Sequence, residues 1–162
     1  MTKYTDLAYE QDDEGIFDLI IDEDQADFET TDGLESAIVV SVFSDRRAYK
    51  DEVGDPMRRR GWIGDLVSEV PGDLHGSGLW LYEQSRLTQE VVTGVRQEAE
   101  QCLEWMIQED LVLSVSAAVA SDPVKRQLRL VITTSSPTGG TSVRAYELAN
   151  ATRNGTLARL GR

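Results

Sequence analysis

The sequence contains very few residues with reactive or metal-binding side chains. Among its 162 residues there is one cysteine, Cys102, and one histidine, His75. A single cysteine excludes a disulfide within the chain, and a structural zinc site needs several Cys or His ligands. A nucleophilic hydrolase also needs a base, usually histidine, beside its nucleophile. We therefore expect no catalytic residues, no metal and no cofactor.

Two further motifs are incomplete. The carboxylate-rich run at residues 22–33 has Ala26 and Asp27 at the fifth and sixth positions, where a calcium-binding loop needs a ligand and a glycine. The run "GSG" at 76–78 has Leu81 where a dinucleotide-binding loop has its third glycine. Carboxylate pairs suited to glycoside hydrolysis stay open as an alternative, because 29 acidic residues always offer pairs.

Long hydrophobic runs are also missing. No apolar stretch approaches the roughly 18 residues that a membrane span needs, and the first 15 residues have no apolar core of a secretory signal. The sequence thus predicts a soluble protein made in the cytoplasm, without a membrane partner.

Negative charge is abundant and unevenly placed. The net charge is −13, and residues 1–35 hold 13 acidic residues against one base, Lys3, which leaves −12 there and −1 in the other 127 residues. A nucleic-acid-binding protein needs a basic face, so we expect no nucleic-acid partner. The acidic region is interpreted either as a solubilising arm or as a docking element for a basic protein.

The first half of the chain predicts a hairpin, a helix and a long loop. Phe17–Asp22 and Ala26–Asp32 flank an acidic turn and are typical of a β-hairpin. The run "AIVVSVF" (37–43) fits either a strand or a helix buried all round, and the capping-box pattern of Asp32 and Glu35 favours a helix over about 33–44. Residues 45–78 are rich in glycine and form an unusually long loop, of the kind that is often functional.

The second half predicts helices followed by strands. Residues 77–85 are expected to form a short helix, and the periodic apolar positions of Thr88–Gln108 predict one long helix capped by Thr88. Strands are predicted at 111–121, 126–136 and 141–148.

The expected fold class is α+β in a single domain: an N-terminal β-hairpin, two main helices and a small, mainly antiparallel C-terminal sheet. Residues 1–15 are predicted to be an irregular, flexible acidic arm, 16–148 the folded domain and 149–162 a polar tail. On this basis, deletion of residues 1–14 is expected to leave the fold intact.

The stretch "RRRGWIGDL" at 58–66 concentrates positive charge beside a tryptophan in an acidic protein. Arginine and tryptophan are enriched in interface hot spots, and flanking glycines allow sharp turns. One hypothesis is an exposed contact with a partner. The other is an internal clamp, in which Trp62 covers the edge of the core and the arginines pair with the chain's own acids. Both can hold together, with Trp62 partly buried and one arginine facing out.

Several stretches in this order resemble the Mu-like phage baseplate protein family, the phage gene product 46 family, which is related to the small baseplate-wedge proteins of contractile tails. The stretches are "TDGLESAIVVSVFSDRRA" (31–48), "RRGWIGD" (59–65), "GSGLWLYEQSRLT" (76–88) and "CLEWMIQED" (102–110). The resemblance covers about residues 16–148. The chain departs from the family pattern at Ile63, where a second aromatic is usual, and at Gly78 and Gln84, where arginine is usual.

The resemblance implies a structural part of the tail baseplate, present in multiple copies in the virion and assembled in the host cytoplasm. Its expected partners are larger wedge proteins and tail sheath or tube proteins. The candidate partner-binding residues are Arg58, Arg59, Arg60, Trp62, Asp65, Trp80 and Arg86. The alternative function is an acidic inhibitor that mimics nucleic acid. The clustering of carboxylates in the first 35 residues weighs against it, since a mimic spreads them over one folded face.

Overall fold

A computed structural model of the chain describes residues 5–11, 17–22, 24, 26–67, 74–83, 85–122, 127–137, 139–149 and 158–159. The rest of the predicted arm and tail lies outside these residues. The architecture is α+β in one domain, as predicted: a small N-terminal β unit, helices, and a C-terminal antiparallel sheet. In the part of the chain so described, no helix is long and apolar enough to cross a membrane.

The N-terminal β unit consists of six short strands in residues 5–32. They are β1 (Thr5–Leu7), β2 (Tyr9–Gln11), β3 (Phe17–Leu19), β4 (Ile21–Asp22), β5 (Asp27–Phe28) and β6 (Thr30–Asp32). The antiparallel pairs are β1 with β6, β2 with β3, and β4 with β5. The β4–β5 pair confirms the predicted hairpin. The irregular structure predicted for residues 1–15 is wrong for β1 and β2, because tertiary pairing gives these polar segments a regular backbone.

Each of the three chain passes in this unit changes its pairing partner at its middle residue. Three backbone hydrogen bonds close a ring there: from Ala8 N to Glu29 O (2.9 Å), from Glu29 N to Ile20 O (2.8 Å) and from Ile20 N to Ala8 O (3.1 Å). Ala8 is buried at this point. The ring therefore satisfies the backbone groups where the ladders change partner.

Helix α1 (Glu35–Phe43) confirms the predicted helix, but its start differs from the capping-box prediction. Leu34 occupies the N-cap position and provides no side-chain hydrogen bond. Instead, Asp6 of β1 accepts hydrogen bonds from the Ser36 backbone N (2.7 Å) and from the Ser36 hydroxyl. The cap thus comes from a residue 30 positions away, which a local motif does not reveal.

The predicted long helix is divided into α2 (Gln89–Gln101) and α3 (Glu104–Gln108). Thr88 caps α2 as predicted, since its hydroxyl accepts from Val91 N (3.3 Å). At the break, Leu103 N bonds to Glu100 O, a tighter three-residue spacing that ends the regular helix. Leu103 and Met106 are both fully buried, so the break keeps the apolar face turned inward.

The C-terminal sheet contains β7 (Ser114–Asp122), β8 (Gln127–Ser135), β9 (Thr141–Ala149) and β10 (Ala158–Arg159) in the order β10-β9-β8-β7, all antiparallel. The first three confirm the predicted strands, and β10 lies within the predicted polar tail. One sheet face and the helices form a shared core. Its most deeply buried side chains are Leu103, Met106, Leu128, Leu130, Ile132, Val42 and Val95.

The long connection between α1 and α2 is fastened at its base, and we call residues 45–77 the pinned loop. Arg46 N bonds to Ser77 O (3.0 Å), and Ser77 N bonds to Ser44 O (2.8 Å). The loop contains two 3₁₀ helices, Pro56–Arg58 and Ile63–Leu66. The predicted short helix after the loop is a 3₁₀ helix, Leu79–Tyr82.

Candidate functional site

The pinned loop is held from inside by a buried arginine that the sequence analysis did not select. Arg46 donates from Nη1 to Glu52 Oε2 (2.8 Å) and from Nη2 to Glu52 Oε1 (2.7 Å), a bidentate pair. Nη2 also donates to Glu98 Oε1 on α2 (3.1 Å). Hydrogen bonding from Arg46 lowers the pKa of Glu52, and the bond to Glu52 is the main cause of a raised Arg46 pKa. The pair therefore stays ionised at neutral pH.

The two carboxylates that hold Arg46 also bond to the backbone. Glu98 Oε2 accepts from Gly78 N (2.9 Å), and Glu52 Oε2 accepts from Tyr49 N (2.7 Å). Trp80 Nε1 donates to the carbonyl oxygen of Arg46 (2.9 Å). This network joins both ends of the loop to α2. Arg46 lies in "SDRRA", and nothing local distinguishes it from its neighbour, Arg47.

Two of the three consecutive arginines face their own protein. Arg59 donates from Nε to Val53 O (2.7 Å) and from Nη2 to Gly54 O (3.0 Å). Arg60 pairs with Asp45 (3.0 Å) and Glu83 (2.9 Å), and its guanidinium lies 4.7 Å from the Trp80 ring centroid. Hydrogen bonding to Glu83 is the main cause of its raised pKa. These contacts have the form of the predicted internal clamp.

Arg58 has a different environment. It ends the 3₁₀ helix Pro56–Arg58 and is exposed. Within the described part of the chain its side chain makes no ion pair. Arg58 is therefore the member of the arginine run that faces solvent without an ion pair to the described residues.

Trp62 lies mostly in solvent, with 59% of its surface exposed. Its ring tilts against His75, with centroids 5.4 Å apart, and covers Gly64, where an added Cβ would overlap the ring. Gly61 has a φ of +97° and passes Arg47 so closely that a Cβ would lie 2.6 Å from the Arg47 Cβ. The two glycines thus allow the sharp turn that places the ring across the loop.

The remaining predicted site residues are not gathered into one surface. Asp65 accepts from His75 N (3.1 Å) through Oδ1, and its Oδ2 is buried without a hydrogen-bond partner among the described residues. Trp80 is half-buried and bonded to Arg46. Arg86 is exposed beyond the 3₁₀ helix Leu79–Tyr82. Asp65 and Trp80 therefore support the loop from within.

Three large apolar side chains in the loop were missed by the sequence analysis. Met57, Ile63 and Val67 are largely exposed and lie within ten positions of each other, on either side of Trp62. We call Met57, Arg58, Trp62, Ile63 and Val67 the exposed loop set. Exposed apolar side chains mark interaction sites when they form one contiguous surface, and these three are close in sequence. The sequence feature that could have indicated this exposed apolar surface was Ile63, which stands where the family pattern has an aromatic residue.

The described residues offer little reactive chemistry. Among them, no group of three or more His, Cys, Asp or Glu side chains is placed to hold a metal ion. Burial raises the pKa of the Cys102 thiol to about 12, so it stays protonated and weakly nucleophilic. His75 is exposed and contacts Trp62. What the loop can offer is a braced surface with an arginine and large apolar side chains.

The fold and this site define a class of protein: a single-domain α+β protein with an internally braced loop. A family model described as phage protein GP46 matches residues 34–141, about two thirds of the sequence. This confirms the resemblance noted above, and the chain belongs to the Mu-like baseplate gp46 family.

Two relatives show the extent of the similarity. Mu-like prophage FluMu protein gp46 of Haemophilus influenzae is 30% identical over 115 residues, which cover 71% of this chain and 77% of the relative. Baseplate protein gp46 of Escherichia phage Mu is 38% identical over 88 residues, which cover 53% of this chain and 59% of the relative.

Proposed function

We propose that this chain is a structural, non-enzymatic component of the wedge of a contractile phage tail baseplate. It binds larger wedge proteins, is incorporated in several copies, and passes from the host cytoplasm into the virion during assembly. Support comes from family membership and from the phage Mu relative, which is a baseplate protein.

The observation that carries the proposal is the construction of the pinned loop. Arg46, Arg59 and Arg60 fix its backbone through internal bonds, while Arg58 and Trp62 face solvent. A loop that is already fixed loses little conformational entropy on binding. Exposed tryptophan and arginine are the residue types that dominate interface energies. The exposed loop set is therefore the proposed contact with a wedge partner.

The sheet offers a second kind of contact, suited to a sheath or tube protein. Among the described residues, β10 pairs only with Leu148 and Ala149 of β9. Along the preceding part of the β9 edge, Thr141–Glu147, no described residue pairs on the side of β10, and we propose that a partner strand adds there. Strand addition supplies affinity through backbone hydrogen bonds and register through alternate side chains.

The test of the proposal is Trp62→Ala in the full-length chain. Because the ring is more than half exposed, we expect the free energy of unfolding, measured by thermal denaturation, to change by less than about 1 kcal/mol. Incorporation into baseplates should weaken by about 2 kcal/mol or more, a hot-spot-sized loss. Gly64→Ala should have a similar effect, since the added Cβ displaces the Trp62 ring while the ring itself is retained.

Trp80→Ala is the matched control. Trp80 is bonded to Arg46 and stacked by Arg60, so its removal should destabilise the isolated protein. Assembly would then fail through unfolding. A Trp62→Ala protein that unfolds and assembles like the unmodified protein would overturn the proposed contact.

A further inference from the structure

The N-terminal β unit presents two large apolar side chains at its tip. Ile21 on β4 lies directly opposite Phe28 on β5. Opposite residues of an antiparallel pair lie on the same face, so the two side chains are neighbours. They are 62% and 48% exposed. A two-stranded ribbon buries little by itself, so this pair gains stability when another surface covers it.

The same tip is acidic. The register pair next to Ile21–Phe28 is Asp22 opposite Asp27; Asp22 accepts a hydrogen bond from Asp24 N (3.0 Å) and Asp27 from Phe28 N (2.8 Å). Asp18, Asp24 and Glu29 are also exposed nearby in the chain. A partner surface with positive charge would be electrostatically complementary to these carboxylates. The tip thus combines an exposed apolar pair with a negative surround.

The tip is also held in a fixed position. The hydrogen-bond ring of Ala8, Ile20 and Glu29 lies just before it, and Phe17 anchors the base of the unit against Phe43, with ring centroids 4.9 Å apart. A surface fixed in this way is preorganised for binding. The family model begins at residue 34, so the unit lies outside the matched region.

We propose that this acidic tip, Ile21 and Phe28 with their surrounding carboxylates, docks on a basic protein surface that presents an apolar pocket rimmed by Lys or Arg. The inference rests on the proposed baseplate function, since the partner is taken to be another component of the same assembly. A second copy of this chain is a poor occupant. Two molecules of charge −13 repel each other. The residues after 35 carry a net charge of −1, so the rest of a second copy has no net positive charge to attract the acidic tip. Nucleic acid is disfavoured by the same charge.

The experiment uses the full-length chain assembled into baseplates, with the photo-crosslinking residue benzoylphenylalanine in place of Phe28. We expect crosslinks to one other baseplate protein, at a site flanked by Lys or Arg. Leu113, exposed on the body of the protein, is the control position for the same probe and should not give that crosslink.

A second arm uses the double variant Ile21→Ser with Phe28→Ser. Because both side chains are exposed, the thermal unfolding of the isolated protein should change little, whereas incorporation into baseplates should fall by at least about tenfold. Raising the salt concentration during assembly should weaken incorporation of the unmodified chain and have less effect on a variant that also carries Asp22→Asn and Asp27→Asn.

Other results would contradict these expectations. Full incorporation of the double variant, or crosslinks confined to a second copy of this chain or to its own residues, would overturn the tip proposal while the baseplate function stands. If the unmodified chain never enters baseplates, the proposed function itself fails.

Discussion

Arg58, Arg59 and Arg60 are adjacent in the chain, yet their guanidinium groups meet three different environments. Arg58 is in solvent, Arg59 bonds to backbone carbonyls, and Arg60 forms ion pairs. The positive φ of Arg60, +44°, redirects the chain between the 3₁₀ helix and Gly61. The sequence predicts that an internal clamp and an outward contact coexist in this run. It cannot assign the residues, because the assignment depends on a backbone turn and on acids as distant as Glu83.

A prediction at this scale concerns Glu52. Its folded pKa lies below the ordinary value of 4.5 because Arg46 hydrogen-bonds its ionised form. A depressed folded pKa contributes stability that is present above about pH 4.5 and is lost as the pH falls through the folded value. Glu52→Gln should therefore be less stable than the unmodified protein at neutral pH, and the difference should shrink as the pH falls.

Melting temperatures of both proteins across that range provide the measurement. Glu109→Gln, which also removes one carboxylate but from an exposed position, is the control for the loss of one charge. If the difference in melting temperature between Glu52→Gln and the unmodified protein stays constant down to acidic pH, the Arg46–Glu52 pair adds no pH-dependent stability.

Among the elements, α1 shows how strongly tertiary contacts govern a local feature. Its apolar residues fit a strand or a buried helix, and the capping-box pattern of Asp32 and Glu35 leads to the helix prediction. The structure confirms the helix, but its N-terminal bonds come from Asp6 in β1. The division of α2 from α3 is similar, because the periodic apolar positions continue through the break and only the tight turn at Leu103 ends the helix. Periodicity therefore identifies the helical region of α2 and α3, whereas caps and breaks depend on neighbours that come into contact only on folding.

Asp6→Ala should remove the cap of α1. The expected cost is about 0.5–2 kcal/mol, the range for loss of an N-cap side chain, and amide hydrogen exchange should speed up first at Ser36 and its neighbours. Asp6→Asn keeps an acceptor oxygen and should recover much of the loss. Equal destabilisation by both substitutions would assign the effect to charge instead of capping.

At the scale of the whole molecule, the boundary of the acidic region coincides with the end of the N-terminal β unit. The first 35 residues carry −12, and they coincide with the N-terminal β unit and its junction with α1. Composition predicts this acidic segregation but not the strands, since β1 and β2 are short and polar and are specified by their partners β6 and β3. The sequence analysis named Trp62 as a candidate because its residue type and flanking glycines are visible locally. It missed Arg46, because the role of Arg46 depends on contacts with Glu52 and Glu98 that form only on folding.

Deletion of residues 1–14 should therefore destabilise the protein, contrary to the expectation from sequence. The deletion removes β1 and β2, the Asp6 cap and one corner of the hydrogen-bond ring. We expect a melting temperature lower by several degrees, on the order of the shift for 1–2 kcal/mol in a domain of this size. Deletion of residues 1–4 alone, which spares every described strand, is the control. An unchanged melting temperature for the longer deletion would mean that the unit contributes nothing to the stability of the core.

The fastening of the pinned loop at its base has an evolutionary and a practical consequence. Because the Asp45–Ser77 bridge fixes where the loop leaves and rejoins the body, added length inside it costs only the slow logarithmic increase in closure entropy. Insertions within this segment should therefore leave the helices and the sheet unchanged. Gly54 is exposed, and a side chain there would meet no atom within 4 Å. Gly54→Cys, which keeps the backbone carbonyl that binds Arg59, should therefore give an attachment point for a fluorescent or affinity label. A surface that changes its partner can thus evolve on a body that does not.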